Sequence, residues 1–301
     1  MFGQDIDPLA DSIPPRYAYE SDEEDEFADY PVSSSVTAPE VEVKIALGNG
    51  SEAVVGQTLI IASGEVGAVW ARGAKLGVQT GQVSVDKHAI GLVFRPSWVA
   101  SSVIVSEALT RLPVWAMHAY AEAVLNRWKP SKVIIIDGYS TATYISAASI
   151  PYHEAPLRYL HSSFLKSDLK ALSSLAPFEP PNLLQSTAAA FLSILALPPQ
   201  SAKTDGFAIL IPSPRAPRPT PQSFDRSESA GDEASFASLT SLSSLEGSEG
   251  WDPSVVHAAH HALQVSAGCK ESMAWLEQGE NNGGQAQVRR RVLEVGGSMY
   301  I

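Results

Sequence analysis

The sequence predicts an α/β fold: a three-layer domain in which helices flank a mixed, largely parallel central sheet. Two observations carry this prediction. Short apolar runs of strand length alternate with helical patterns between residues 41 and 211. One helical pattern, Val114–Trp128, stands between two such runs, an order typical of a parallel βαβ unit whose sheet is covered on both faces. The composition agrees, since 45% of the 301 residues are hydrophobic, which is ordinary for a folding chain.

The first strands are predicted from apolar residues near the start of this block. Val41, Val43, Ile45 and Leu47 alternate with other residues, which is the period of a half-buried strand. Three short apolar runs then follow and are interpreted as further strands: Thr58–Ala62, Ala68–Ala71 and Ile90–Phe94.

The clearest unit comes next. Ser102–Val105 is predicted to be a strand, and apolar residues then recur at helical spacing from Val114 to Trp128. Pro113 suits the first turn of this helix, and Pro130 ends it. Lys132–Asp137 follows as a fully apolar strand, because one valine and three isoleucines are consecutive there.

Two helices and a strand are predicted to complete the block. Leucine spacing indicates a helix over about 155–174. The next helix is predicted to begin after Asn182, which forms a capping-box pattern with Gln185, and to stop at Pro198. It is apolar on most sides, so we expect it to be buried between layers or covered by a partner. Phe207–Ile211 is predicted to be a further buried strand.

Composition divides the chain into four segments. Residues 1–40 hold eleven acidic residues and one arginine, and we expect a disordered acidic tail. Residues 41–211 form the α/β core. Residues 212–250 are rich in proline, serine and acidic residues, and are predicted to be a long disordered insertion. Residues 251–301 are a helical C-terminal segment of the same domain, whose helix begins at Pro253 and which ends in a flexible tail.

Several classes of protein are excluded by simple counts. The net charge is −12, and the two segments predicted to be disordered carry this negative charge, which leaves the rest of the chain close to neutral. The one dense basic cluster, Arg289-Arg290-Arg291, is interpreted as a solvated helix end, with an acidic protein surface as its alternative partner. We therefore predict no nucleic-acid partner. Apolar runs are too short for a membrane span, no secretory signal is evident, and the single Cys269 fits a cytoplasmic protein, with the nucleus also open.

Motifs for cofactors and metals are weak. Gly48-Asn49-Gly50 follows a strand but lacks the spacing of a dinucleotide loop, so a tight turn is the better interpretation. His257, His260 and His261 lie at helical spacing, and two of them could bind one metal ion. No third ligand is evident nearby, so a solvent-facing or interface patch is predicted. The sequence thus predicts neither a metal site nor a cofactor.

A single carboxylate keeps an enzymatic alternative open. Asp137 comes at the carboxyl end of a buried strand, where α/β enzymes place functional groups. With His153 it would suit an enzyme on a nucleoside-phosphorylase-like scaffold, although a carboxylate there is also a common loop cap. A third hypothesis is an adaptor that acts through the acidic disordered segments.

The C-terminus carries the most specific feature. The chain ends with a hydrophobic residue, a tyrosine and one further residue: Met299, Tyr300 and Ile301. Gly296 and Gly297 precede them and supply a hinge. A free carboxylate can be captured by a lysine or by backbone N–H groups, while the two preceding side chains fill a small pocket.

This ending resembles the tail with which proteasome activators and assembly chaperones dock between α-subunits of the core particle. The body is similar to the family of the first proteasome assembly chaperone, in a diverged form of fungal type. An acidic segment before the first strand is also typical, whereas the 212–250 insertion departs from the pattern. The matching stretches are Val133–Ile136, Ala155–Leu160, Glu179–Leu184, Ala188–Ser193 and Ala208–Ile211.

The resemblance implies a non-enzymatic chaperone for assembly of the 20S proteasome core particle. It implies a heterodimer with a sister chaperone of the same fold, placed on the α-ring. Met299 would fill a hydrophobic slot, Tyr300 would pack its ring and use its hydroxyl, and the Ile301 carboxylate would pair with a lysine of a proteasome α-subunit.

Overall fold

Nine strands form one mixed sheet in the described part of this computed structural model. The structure describes residues 41–48, 55–147, 150–162, 174–197, 204–216, 218–224, 251–269 and 273–276. The strands are β1 Val43–Leu47, β2 Thr58–Ser63, β3 Gln79–Val85, β4 His88–Phe94, β5 Ser102–Ser106, β6 Lys132–Ser140, β7 Arg158–His161, β8 Ala176–Pro177 and β9 Asp205–Ser213. The helices are α1 Gly64–Gly73, α2 Val114–Trp128, α3 Thr187–Ala196 and α4 Pro253–Ser266, with a short 3₁₀ helix at Tyr152–Glu154.

The strand order is β1-β3-β4-β5-β2-β6-β9-β7-β8. The four central strands, β5-β2-β6-β9, are parallel. Antiparallel pairs extend the sheet on both sides, from β5 through β4 and β3 to β1, and from β9 to β7. The mixed α/β sheet predicted from the sequence is therefore confirmed. The strands on either side of α2 are parallel as expected, but β2 lies between them.

Each face of the sheet carries its own pair of helices. Ile60 points into a core that includes residues of α1 and α4, whereas its neighbour Ile61 points into a core that includes residues of α2 and α3. This alternation follows from the pleat of a strand, which directs successive side chains to opposite faces. The three-layer arrangement is thus confirmed. Among the described residues, no helix is both long enough and apolar enough to cross a membrane.

A buried hydroxyl pair joins α2 to the sheet. Tyr120 is fully buried, and its hydroxyl lies 2.7 Å from that of Ser106. Its ring meets the ring of Phe191 edge to face, with centroids 6.1 Å apart. Gly91 leaves room for this arrangement, because a Cβ there would lie only 2.5 Å from the Tyr120 hydroxyl oxygen.

Substituting Tyr120→Phe is expected to lower the free energy of unfolding by about 1–3 kcal/mol, because the Ser106 hydroxyl then stays buried without its partner. Urea denaturation of the full chain measures this. Tyr159→Phe is the control, since Tyr159 is only partly buried and its ring is retained. Equal losses in the two variants would mean that the buried hydroxyl pair contributes nothing specific.

One apolar run is helical rather than extended. The prediction of a strand at Ala68–Ala71 is wrong, because these residues lie in α1. They are all buried, so the run has no polar positions from which a helical or strand period could be recognised. Gly67 allows the helix to approach the sheet, since a Cβ at this position would overlap the backbone of Ala62.

The prediction of a helix over 155–174 is also wrong for the residues of this range that the structure describes. Residues Arg158–His161 form β7, which pairs with β9 in antiparallel register. Residues 163–173 lie outside the described part of the chain. The strand β3, by contrast, was not predicted. Glutamine, threonine and serine occupy most of its positions, so it contains no apolar run that would indicate a strand.

The helix α3 begins later than its capping-box pattern indicated. It starts at Thr187, five residues beyond Asn182. The Asn182 side chain instead closes a loop: its Oδ1 accepts from the amide of Ile145, and its Nδ2 donates to the carbonyl of that residue. One side of α3 packs against the sheet, whereas Leu197, just beyond it, is 61% exposed.

The segment after β9 differs from the predicted insertion at its start. The strand continues through Pro212 to Ser213. Residues 218–224 then contact α2 and its approach: Arg111 donates to the carbonyls of Arg218 and Pro219, and the Trp115 indole donates to that of Gln222. The acidic segment 1–40 and residues 225–250 lie outside the described residues.

The C-terminal helix is confirmed. It begins at Pro253, as expected, and the Asp252 carboxylate accepts from the amide of Ser254 at 2.9 Å. This is the capping arrangement that satisfies a free amide at a helix start.

Candidate functional site

The sequence predicted Asp137 at the carboxyl end of its strand, but β6 continues for three residues beyond it, and the side chain is enclosed. Its side chain is buried, and both carboxylate oxygens accept short hydrogen bonds. The Ser186 hydroxyl donates to Oδ2 at 2.6 Å, and the Gly138 amide donates to Oδ1 at 2.7 Å. Ser186 immediately precedes α3, so this carboxylate ties β6 to the start of that helix.

A second carboxylate supports the same helix start. Glu107 directly follows β5, and its Oε2 accepts from the Thr187 hydroxyl at 2.6 Å. Its Oε1 accepts from the Leu112 amide at 2.8 Å. Two carboxylates therefore bind the first residues of α3, where the helix dipole favours negative charge. The contacts of Asp137 with Ser186 and of Glu107 with Thr187 join residues that are far apart in the sequence. No local sequence pattern therefore identified Glu107, Ser186 or Thr187.

Burial raises the pKa of Asp137 from its ordinary value of 3.8 to about 7. The charged form is disfavoured because little water reaches it, and the negative charge of Glu107 disfavours it further. The hydrogen bonds from Ser186 and Gly138 act in the opposite direction but do not offset burial.

His153, the other residue of the enzymatic hypothesis, has different surroundings. Its side chain is 75% exposed, and its Nε2 lies 3.5 Å from a carboxylate oxygen of the adjacent Glu154. The structure thus gives Asp137 and His153 separate partners, one in the interior and one at the surface.

The histidines of α4 do not form the predicted surface patch. His257 and His261 are exposed, but His260 is only 1% exposed, so the prediction is wrong for the central member. The Trp70 indole donates to His260 Nδ1 at 3.1 Å, and the side-chain amide nitrogen of Gln264 lies 2.9 Å from His260 Nε2. Burial lowers the pKa of His260 to about 4, so the ring is neutral at pH 7. Within the described ranges, no group of three or more His, Cys, Asp or Glu side chains is placed to hold a metal ion.

A cleft of about 450 Å³ opens beyond the end of β6. Arg158 lies in its wall beside Tyr139 and Tyr144. The sequence analysis did not single out this arginine. One feature of the sequence could have identified it: Arg158 is the one charged residue in the stretch Ala155–Leu160.

The residues that the sequence analysis placed in the docking tail, Gly296, Gly297, Met299, Tyr300 and Ile301, lie outside the described residues. Their role stays a prediction.

Comparison with solved structures finds similar folds. The chain resembles a proteasome-assembly chaperone homologue. This protein, PbaA from the archaeon Pyrococcus furiosus, is 14% identical, with 77% of this chain and 88% of that chain covered at a TM-score of 0.47. PbaB of the same organism, an archaeal proteasome activator, is 10% identical, with coverages of 57% and 81% and a TM-score of 0.42.

A protein of unknown function from Thermoplasma acidophilum is 11% identical, with 53% of this chain and 68% of that chain covered at a TM-score of 0.41. Neither family models nor curated proteins match the sequence.

Proposed function

We propose that this protein is a chaperone for assembly of the 20S proteasome core particle. It acts in the cytoplasm, with the nucleus also open, as a heterodimer with a sister chaperone on the α-ring, and it docks its C-terminal tail into a pocket of an α-subunit. The observation that carries the proposal is the terminal Met299-Tyr300-Ile301 after a glycine pair, on a body whose sequence resembles an assembly chaperone.

The placement of the resembling stretches supports this proposal. Val133–Ile136 lies in β6 and Ala208–Ile211 lies in β9, and these two strands pair in parallel at the centre of the sheet. Ala188–Ser193 lies in α3, which packs on the same part of the fold. Stretches that are separate in the sequence therefore form one contiguous part of the core.

The tail would bind weakly by itself. A charge-assisted hydrogen bond from an α-subunit lysine to the terminal carboxylate contributes about 1.5–3 kcal/mol. Contacts of the folded body and of the sister chaperone would raise the effective concentration of the tail at its pocket. The outward side of α3, next to the exposed Leu197, is the candidate surface for pairing with the sister chaperone.

Deleting residues 299–301 is expected to weaken binding to core particles at least tenfold, because the carboxylate and both side chains of the docking motif are lost. Pairing with the sister chaperone should be unchanged. Co-sedimentation with purified core particles measures the first effect, and co-purification of the two chaperones measures the second. Mass spectrometry of the purified protein first establishes that Ile301 carries the free carboxylate.

A chain extended by one glycine after Ile301 is the matched control for the carboxylate, because it keeps all three side chains. It should lose binding as the deletion does. Equal core-particle affinity with and without residues 299–301 would contradict the tail mechanism.

A variant that lacks residues 1–40 and 225–250 should keep most of its binding, whereas an adaptor that acts through these acidic segments would lose its partner.

A further inference from the structure

Arg158 is a buried cation without an opposite charge among the described residues. It is 6% exposed. Its Nη1 donates to the Pro177 carbonyl at 2.7 Å, while its Nε has no hydrogen-bond partner in the described part of the chain. The ion pairs found among the described residues involve other side chains. A buried charge of this kind is costly unless it is matched.

Two aromatic rings hold the guanidinium in place. Its Cζ lies 4.0 Å from the ring centroid of Tyr144 and 5.6 Å from that of Tyr139. The Tyr139 hydroxyl donates to the Pro156 carbonyl at 2.6 Å, which fixes that ring. Cation–π contacts offset part of the cost of burial, but neutral rings leave the positive charge uncompensated.

Polar atoms make up most of the surface that lines the cleft next to this cation. Arg158 is the one charged residue among those described residues that line its volume of about 450 Å³. Apolar groups of Ile145, Ile150 and Pro156 lie around it, together with the hydroxyl of Thr141. The cleft follows the carboxyl end of β6, the position at which ligands of α/β sheets bind.

We propose that this cleft binds a carboxylate attached to an apolar or aromatic group, with Arg158 as the anion-binding residue. A planar guanidinium presents parallel N–H groups that match the two oxygens of a carboxylate. Phosphate sites usually combine several backbone donors or cations, whereas one cation lines this cleft. The side chains of Ile145, Ile150 and Pro156, which lie among the lining residues, would contact the carbon part of the ligand. The proposal does not rest on the chaperone function.

Such a carboxylate could belong to a free organic acid or to the carboxyl terminus of a peptide, and the probes distinguish the two. The full chain is titrated with 3-phenylpropionate and with the tripeptide Gly-Gly-Phe, each compared with its neutral amide at constant ionic strength. Isothermal titration calorimetry measures binding, and inorganic phosphate is titrated separately. We expect at least one acid to bind and its amide to bind on the order of tenfold more weakly or not at all.

Substitutions then assign the site. Arg158→Met should weaken binding of the acid on the order of tenfold or more, whereas Arg127→Met, at an exposed arginine of α2, should leave it unchanged. Circular dichroism and the melting temperature report whether Arg158→Met folds. Ile145→Glu provides a second test, because Ile145 is 62% exposed and a carboxylate at the wall should repel the ligand. Ile145→Gln is its neutral control.

Three results would overturn the proposal. The first is binding of neither acid at millimolar concentration. The second is equal binding of an acid and its amide, or binding of phosphate alone. The third is unchanged affinity for the acid in a folded Arg158→Met or, where that variant does not fold, in Ile145→Glu. None of these results bears on core-particle binding, so failure here is distinguishable from failure of the proposed function.

Discussion

Asp137→Asn is expected to become more stable relative to the wild type as the pH rises from 4 to 8, by about 4 kcal/mol in total. The pKa of Asp137 is raised to about 7 in the folded protein, from an ordinary value of 3.8. Between these two values the folded state binds more protons at Asp137 than the unfolded state does. The contribution of Asp137 to stability is therefore fully present below pH 3.8 and is lost as the pH rises through 7.

Urea denaturation of both proteins at pH 4, 5, 6, 7 and 8 measures this difference. Asparagine keeps an oxygen that can accept from the Gly138 amide, so the variant should retain the fold. Asp205→Asn, at an exposed position at the start of β9, is the matched control and should show no comparable trend. A constant difference between Asp137→Asn and the wild type across this range would contradict the raised pKa.

His260→Asn is expected to show the opposite trend. Burial lowers the pKa of His260 to about 4, whereas its ordinary value is 6.5. Between these values the unfolded state binds more protons, so the contribution of His260 is present above pH 6.5 and is lost as the pH falls through 4. The free energy of unfolding of the variant, relative to that of the wild type, should therefore fall by about 3 kcal/mol as the pH rises from 4 to 7.

The asparagine oxygen can still accept from the Trp70 indole, which the wild-type imidazole does at 3.1 Å. Groups that face His260 include His257 and His261, whose charges lower its pKa further. His261→Asn, at an exposed position on the same helix, is the control, and its smaller effect should come only through His260. If His260→Asn instead gained stability relative to the wild type as the pH rises from 4 to 7, the imidazole would be stabilised in its charged form and the lowered pKa would be contradicted.

The two effects oppose each other in the wild type. Asp137 lowers stability as the pH rises from about 4 to 7, and His260 raises it over nearly the same interval. Their opposite slopes should leave the wild-type profile flatter than that of either variant. A double variant should regain this flatness, because the two residues lie in different parts of the fold and share no hydrogen-bond partner.

Local patterns were sufficient for much of the fold. The α2 helix and the neighbouring β6 strand were predicted closely, because their apolar residues follow the helical period in one case and are continuous in the other. The start of α4 was also predicted, since capping depends on neighbouring residues such as Asp252. Local reasoning was wrong at α1, where every residue of the apolar run is buried and no period is visible.

The candidate sites required contacts between distant residues. Arg158 entered a predicted helix, and its position beside two tyrosines depends on the antiparallel pairing of β7 with β9. Asn182 fits a helix cap by its spacing, yet its amide binds the backbone of Ile145, 37 residues away. No pattern within a short window contains such pairings.

The order of apolar and polar residues alone determined that this chain forms a layered α/β domain, because burial of apolar side chains follows local periods. The chemical state of its ionisable groups was decided only by tertiary structure. Trp70 and His260 are 190 residues apart in the sequence, and their hydrogen bond exists because α1 and α4 pack on the same face of the sheet. A pKa depends on what surrounds a group in space, so His260 belongs to a solvent-facing or interface patch by its spacing but is a neutral core residue in the folded protein.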